Sequence, residues 1–322
     1  MMFVVDVSAP PPIGVTGPPG IVVAVGESST PEGEFWLDTA TFALSKSEQE
    51  DRRFVAVESV NDTVAELRER CRRWPHASAV CDDVLRSVDV TGPALPGIIT
   101  ESLAYSTLQA GPEFARWLDS RGPAALPDMP DPVLAERDGG TLRIKFNRPQ
   151  RHNAFSTDAR ALLLEALTVA LVDDTVTEVV LGGNGASFCS GGDLGEFGTF
   201  ADPATAHLAR TRHSPALALD QLTRRLGQGC RAEIHGRVLG SGLEMTSFCG
   251  WVSCRSDAVL GLPELALGLI PGAGGTVSIT RRIGRWRTAY LVLSGRTIDP
   301  TTALAWGLVD EVVQPERRSV TR

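Results

Sequence analysis

Apolar and polar positions alternate along this chain in a way that predicts strands interleaved with helices. Residues 178–181, 231–235 and 141–146 are short, strongly apolar or alternating runs that read as strands. The last of these pairs with 133–135 across Asp138-Gly139-Gly140, a hairpin turn signal. Thr157 or Asp158 opens a helix with a leucine face that runs to about Val172, and a longer helix is predicted over 203–226. The N-terminal part predicts short buried strands at 21–25 and 53–58. Asn61 or Asp62 caps a helix to Arg73 with Val64, Leu67 and Cys71 on one face. A short helix follows at 81–88, a loop at 91–97, and helices at 98–110 and 112–120 whose apolar positions are Leu103, Leu108, Phe114, Trp117 and Leu118. Residues 8–20, rich in proline and glycine, read as an extended lead-in, and 122–132, with four prolines, as a linker. Strands alternating with helices make this an α/β chain. The expected division is an N-terminal accessory region, 1–130, and a larger domain, 131–322.

Composition changes the picture in two ways. The 322 residues are 43 % hydrophobic, which allows a substantial core, and 22 % charged. The net charge of −8 is uneven: residues 1–130 hold 10 basic against 19 acidic residues, and 131–322 hold 21 against 20. An acidic N-terminal part is a poor match for nucleic acid. The balanced, arginine-rich remainder suits an anionic, phosphate-bearing ligand. Six cysteines show no metal-ligand spacing, so no metal is expected, and they read as free thiols of a cytoplasmic protein. No apolar run approaches the ~20 residues of a membrane span, and no secretory leader is expected at the start.

The chemistry concentrates in residues 233–269. Gly240-Ser241-Gly242 is a turn opening a helix pattern that carries Glu244. Twenty positions on, Pro263-Glu264 marks a second apparent helix start. A carboxylate in a first helical turn is favoured by the unpaired N–H groups there. A pair of them suggests two acids serving one pocket. An earlier turn, Gly191-Gly192-Asp193-Leu194, has the same grammar and is expected to open a helix. Two such turns can each lend one N–H to a developing oxyanion. Blander readings stand beside this. The glycines suffice for tight turns, Asp193 for a helix-start acid, Cys189 for packing and His235 for a structural role. Gly272-Ala273-Gly274-Gly275 lacks the Lys-Ser/Thr ending of a phosphate loop and reads as a helix entry. A nucleophilic Ser241 needs a positioned histidine, which the sequence does not place.

From about residue 134 to 313 the chain resembles the crotonase superfamily, the enoyl-CoA hydratase/isomerase proteins. Asn147-Arg148-Pro149 with Asn153-Ala154, then Phe188 to Leu194, His235-Gly236 to Glu244, Leu262-Pro263-Glu264 to Thr276, and Gly307-Leu308-Val309-Asp310 carry the likeness in order. The resemblance implies a spiral of ββα units, here with an N-terminal α/β extension and a shortened C-terminus. Helices 98–120 are expected to take over part of the cover that further C-terminal helices give in the family. It also implies an acyl-CoA substrate, with coenzyme A as part of the substrate and no other cofactor, and a homo-oligomer, a trimer or dimer of trimers. Carried over by position, the oxyanion donors are the N–H groups of Gly192 and Ser241. Glu244 and Glu264 are the acids, and Gly191, Asp193, Leu194, Arg151 and Ala154 line the substrate, with Arg148 close by. Retention of both glutamates points to a hydratase that adds water to an α,β-unsaturated thioester. An isomerase or a non-catalytic acyl-CoA-binding protein is the alternative.

Overall fold

The structure is a computed structural model and describes residues 2–10, 20–27, 30, 33–124, 130–199 and 202–315. Most of the expected lead-in and the middle of the expected linker lie outside these residues. The chain forms two compact units rather than dividing once near residue 130. One comprises 1–122, 200–207 and 262–296; the other comprises 123–199, 208–261 and 297–322.

In the second unit six strands form a sheet: β5 (Val133–Asp138), β6 (Thr141–Phe146), β7 (Glu178–Gly183), β8 (Cys230–Ile234), β10 (Trp251–Arg255) and β12 (Glu311–Val313), in the order β12-β10-β8-β7-β6-β5. Only β5 and β6 are antiparallel. The central strand β7 buries Val179, Val180 and Leu181 in succession, as a parallel strand covered on both faces does. β6 instead alternates, with Leu142, Ile144 and Phe146 buried and Arg143 and Lys145 exposed. Register places Ile144, Leu181, Ala232 and Val252 side by side across the sheet. A two-stranded parallel sheet, β9 (Arg237–Leu239) with β11 (Val259–Gly261), completes the strands.

Helix α6 (Thr157–Val172) starts at Thr157 and ends at Val172, as the sequence predicts. Its N-cap is Ser156, whose hydroxyl accepts from the Ala159 N–H. It buries Ala159, Leu163, Ala166, Leu167 and Ala170, and a fully buried leucine contributes about 1.5–3 kcal/mol. The expected long helix over 203–226 is two helices, α7 (Pro203–Arg212), whose residues up to His207 are grouped with the first unit, and α8 (Pro215–Leu226). Ser214 caps α8 and Pro215 occupies its first position, a start signal that outweighs the continuous apolar pattern. The unit also holds the short helices α9 (Ser241–Thr246) and α11 (Pro300–Trp306).

The first unit holds a four-stranded parallel sheet in chain order, β1 (Met2–Asp6), β2 (Ile21–Val25), β3 (Phe42–Ser45) and β4 (Phe54–Ala56). Its core includes Val22, Ala24, Ala43 and Phe54, with Leu37 from α1 (Gly33–Thr39). Helices α2 (Val60–Arg73), α3 (Pro75–Ser87), α4 (Ala94–Gln109) and α5 (Pro112–Arg121) follow. The expected loop at 91–97 is therefore already helical from Ala94. Helix α10 (Gly275–Ser294), kinked at Gly284, packs against α2, α3, α4 and β3. Phe42 meets Tyr290 edge to face at 5.6 Å, Trp286 Nε1 donates to the Leu37 carbonyl at 3.1 Å, and Arg70 Nε donates to the Leu293 carbonyl at 2.8 Å. The last bond satisfies a carbonyl of the α10 C-terminus. Removing residues 1–122 would thus strip α10 of its packing partners. Among the described residues no helix is long and apolar enough to cross a membrane.

Candidate active site

Two glycine turns of the second unit are brought together by pairing of the chain segments before them. The Phe188 N–H donates to the His235 carbonyl (2.9 Å), Cys189 N–H to the Arg237 carbonyl (3.1 Å) and Leu239 N–H to the Cys189 carbonyl (3.0 Å). This close approach needs Gly236. Its φ is +55°, and a Cβ there would lie 2.0 Å from the Ala186 carbonyl oxygen. Gly236→Ala is expected to cost about 1–3 kcal/mol for the left-handed backbone alone, with the clash in addition. A fall in the urea midpoint measures it, and an unchanged midpoint would show the approach to be dispensable.

Past this pairing the turns touch: a Cβ on Gly242 would lie 2.7 Å from Cys189 Cβ. Gly240, with φ 49° and ψ −125°, caps α9, a conformation open essentially to glycine, and its N–H donates to the Gly261 carbonyl. Among the described residues no acceptor takes the N–H of Gly192 or of Ser241. Two main-chain donors therefore stand ready at adjoining turns. Glu244, one turn into α9, is buried. Ser241 Oγ has no hydrogen-bond partner among the described residues. No histidine is bonded to Ser241 Oγ among the described residues; His235 Nε2 meets the Gly185 carbonyl and His152 Nδ1 meets Ser187 Oγ. Burial pushes the Cys189 thiol up to about 12, which makes it inert.

Gly191-Gly192 does not open a helix; the chain turns repeatedly through 194–198. The reason is Asp193, whose carboxylate is committed elsewhere. Its Oδ2 accepts from Arg148 Nη2 at 2.9 Å, and its Oδ1 accepts from Arg151 Nη2 at 2.8 Å and from the Gly195 N–H at 3.1 Å. Arg148 also donates to the Ala154 carbonyl at 2.6 Å. Asn153 then ties this segment to the Ser187 and Asn184 carbonyls at 2.7 and 3.0 Å. Burial raises the Asp193 carboxyl, but the bonds from Arg148, Gly195 and Arg151 outweigh it and hold it below the ordinary value. Asp193 is thus a pivot that sets the Gly192 turn. Arg148 is buried; Arg151 keeps a third of its side chain exposed, and Leu194 nearly half of its surface.

Glu264 lies in the first unit. It begins a 3-10 segment, Glu264–Leu267, rather than the expected α-helix, because Gly268 turns left-handed after one turn. The residue is 8 % exposed, and its Oε2 is buried with no hydrogen-bond partner among the described residues. Burial raises its pKa to about 8, its own N–H opposes this, and the charge of Glu101 adds to the rise. Glu101, on α4, is the residue that sequence reasoning missed. Helix α4 buries polar residues beside apolar ones: Glu101, Ser102 and Ser106 lie inward with Ile98, Tyr105 and Leu108, while Leu95, Ile99 and Leu103 are exposed. Leu103 is therefore not a core position.

The family profile described as enoyl-CoA hydratase/isomerase matches residues 136–320. The 2,3-dehydroadipyl-CoA hydratase of Escherichia coli is 32 % identical over 180 residues, which cover 56 % of this chain and 68 % of that protein. A probable enoyl-CoA hydratase of Mycobacterium bovis is 33 % identical over 183 residues, covering 56 % and 68 %. Among solved structures, an enoyl-CoA hydratase/carnitine racemase from Magnetospirillum magneticum is similar with a TM-score of 0.52 and 28 % identity, over 58 % of this chain and 69 % of that one.

Proposed function

Because the chain belongs to the enoyl-CoA hydratase/isomerase family, the crotonase superfamily, we propose that it is an enoyl-CoA hydratase acting on an α,β-unsaturated acyl-CoA thioester. The observation that carries this is the pair of N–H groups, Gly192 and Ser241, that find no acceptor among the described residues and stand at two touching turns. They are the donors for the thioester oxygen, where negative charge builds as water adds. Loss of one such donor costs about 2.7–4 kcal/mol of barrier. Glu244 takes a proton from water as its oxygen bonds to Cβ, and Glu264 gives its proton to Cα. The carboxyl of Glu264, protonated at neutral pH, suits the donor role. The proton gained by Glu244 and the one lost by Glu264 balance over the turnover, with exchange through solvent.

Arg151, Ala154, Gly191, Asp193 and Leu194 are assigned to the substrate segment, Asp193 by fixing the turn. No cofactor beyond coenzyme A in the substrate is required. The reading includes a cytoplasmic homo-oligomer, a trimer or dimer of trimers. The near-ultraviolet band of the conjugated enoyl thioester tests the reaction. Loss of the band with crotonyl-CoA supports hydration. Gain of a band with a 3-enoyl-CoA, and none lost with crotonyl-CoA, would replace hydratase by isomerase. No change with either would leave a non-catalytic binder.

A further inference from the structure

The N–H of Gly192 and the carbonyl of Gly191 belong to one peptide unit. That unit is planar and trans, so the two groups point in opposite directions. Whatever holds the Gly191 carbonyl therefore aims the Gly192 N–H. The holder is the Phe155 N–H, which donates to the Gly191 carbonyl at 2.8 Å. On the other side of Gly192, the Asp193 N–H donates to the Phe155 carbonyl at 2.9 Å, and Phe155 and Gly192 form an isolated parallel bridge. The Ser190 N–H donates to the His152 carbonyl at 3.0 Å. Residues 152–155 thus grip the turn at three points. Without the grip the Gly191–Gly192 peptide can rotate at little steric cost, because Gly191 has a φ of +97° and no side chain to restrict it.

The shape of the gripping segment is itself unusual. His152 (φ 52°, ψ 34°) and Asn153 (φ 55°) are two left-handed residues in succession. Among the described residues Asp131 is the one other non-glycine residue with a positive φ. A left-handed pair of this kind persists only where its surroundings enforce it. The side chain of Asn153 does so. Its Oδ1 accepts from the Arg148 N–H at 2.7 Å, and its Nδ2 donates to the Ser187 carbonyl at 2.7 Å and the Asn184 carbonyl at 3.0 Å. Its own N–H donates to the Arg148 carbonyl at 2.9 Å. The residue is 2 % exposed, so water cannot stand in for these partners. His152 adds one more tie, from Nδ1 to Ser187 Oγ at 3.0 Å.

Resting on the hydratase reading above, we propose that Asn153 is a positioning residue for the oxyanion donor. It holds 152–155 in the left-handed shape that presents the Phe155 N–H to the Gly191 carbonyl. The Gly191–Gly192 peptide is thereby locked with the Gly192 N–H turned away from Phe155. Asn153 and Asp193 act on different parts of the turn. Asp193 fixes the chain after Gly192 through two arginines, whereas Asn153 fixes the peptide plane before it. Arg148 joins the two: Asn153 binds its main-chain N–H and carbonyl, and Asp193 binds its guanidinium.

The experiment compares the parent with Asn153→Gly, which keeps the left-handed backbone at no steric cost and removes the three side-chain bonds. The probe is butyryl-CoA labelled with carbon-13 at the thioester carbonyl, a saturated chain with no double bond to hydrate. Hydrogen bonds to the carbonyl lower its stretching frequency, so the infrared band of the bound probe should lie below that of the free thioester. In folded Asn153→Gly the band should move back toward the free position. For crotonyl-CoA hydration kcat should fall by about 10²-fold, the cost of a lost oxyanion donor, with KM changed by less than about threefold. A ligand-free readout follows the lock directly. The Phe155 amide should exchange its hydrogen as slowly as the β8 amides in the parent, and at least about tenfold faster in Asn153→Gly while β8 is unchanged. A band at the parent position, or unchanged exchange at Phe155, overturns the proposal whatever the rate. If the parent neither binds butyryl-CoA nor hydrates crotonyl-CoA, the hydratase reading falls, and exchange at Phe155 alone decides whether Asn153 locks the peptide. If Asn153→Gly does not fold, the parent decides. A Phe155 amide as slow as β8 supports the lock, and one as fast as the amides of the turn at 194–198 overturns it.

Discussion

Glu264→Gln is expected to lower the rate of crotonyl-CoA hydration by about 10²–10⁴-fold, the range of a lost general acid. Glu244→Gln should cost as much. The double variant should lose much less than the product of the two, because both acids act on a single addition and act as a unit. A second consequence separates the Glu264 change from generic damage. An unfolded Glu264 titrates near 4.5 and the folded one at about 8. The folded state therefore binds more protons across that interval. The associated stability is complete below 4.5 and is lost as pH rises through 8. Glutamine carries no such loss. The urea midpoint of Glu264→Gln should rise relative to the parent between pH 5 and pH 9, while its activity is low at both. Wild-type-like activity would remove Glu264 from the mechanism, and a midpoint difference independent of pH would remove the protonated carboxyl.

The parts of the fold legible in the sequence are those whose signal is local. Val179-Val180-Leu181 could only be a covered strand, and Asp138-Gly139-Gly140 fixed the hairpin. β3, Phe42–Ser45, left no mark, because four residues without turn punctuation on either side resemble any short apolar run. Helix α4 misled for a different reason. Its inward face carries Glu101 among apolar residues, and that acid supplies an acceptor to the start of α10, a demand set by a partner 173 positions away. Glu101 stands three residues after Ile98 and four before Tyr105, both buried, so an acid on that face was the available clue. The grouping of 262–296 with the N-terminal region was likewise invisible, since it depends on what α10 packs against. Around the candidate site, the glycine turns were legible as motifs. The role of Asp193 was not, since a short acidic residue after two glycines reads equally as a helix start.

Asp193→Ala is expected to destabilise the protein by about 3–5 kcal/mol, the cost of leaving a buried charge without its partner. The Arg148 side chain is 5 % exposed and the Asp193 side chain 0 %, so water cannot replace the lost carboxylate. Arg148 keeps its bond to the Ala154 carbonyl, which satisfies one donor but not the charge. Arg151, on the same carboxylate, is partly exposed and should matter less: Arg151→Met is expected to cost under about 1 kcal/mol. Replacing Arg148 and Asp193 together by apolar residues of similar volume should recover most of the loss, because no unpaired charge then remains. The pH dependence has the opposite sign to that of Glu264. The folded Asp193 carboxyl lies below its ordinary value of 3.8. Its contribution is present above 3.8 and is lost as pH falls through the lowered folded value. The gap between parent and Asp193→Asn should therefore narrow on acidification and stay constant above pH 5. Because Asp193 sets the turn that carries the Gly192 N–H, kcat should fall in the folded fraction as well. Equal urea midpoints for parent and Asp193→Ala at pH 7 would show that the turn holds its shape without the ion pair, and that the oxyanion donor is positioned by the glycines alone.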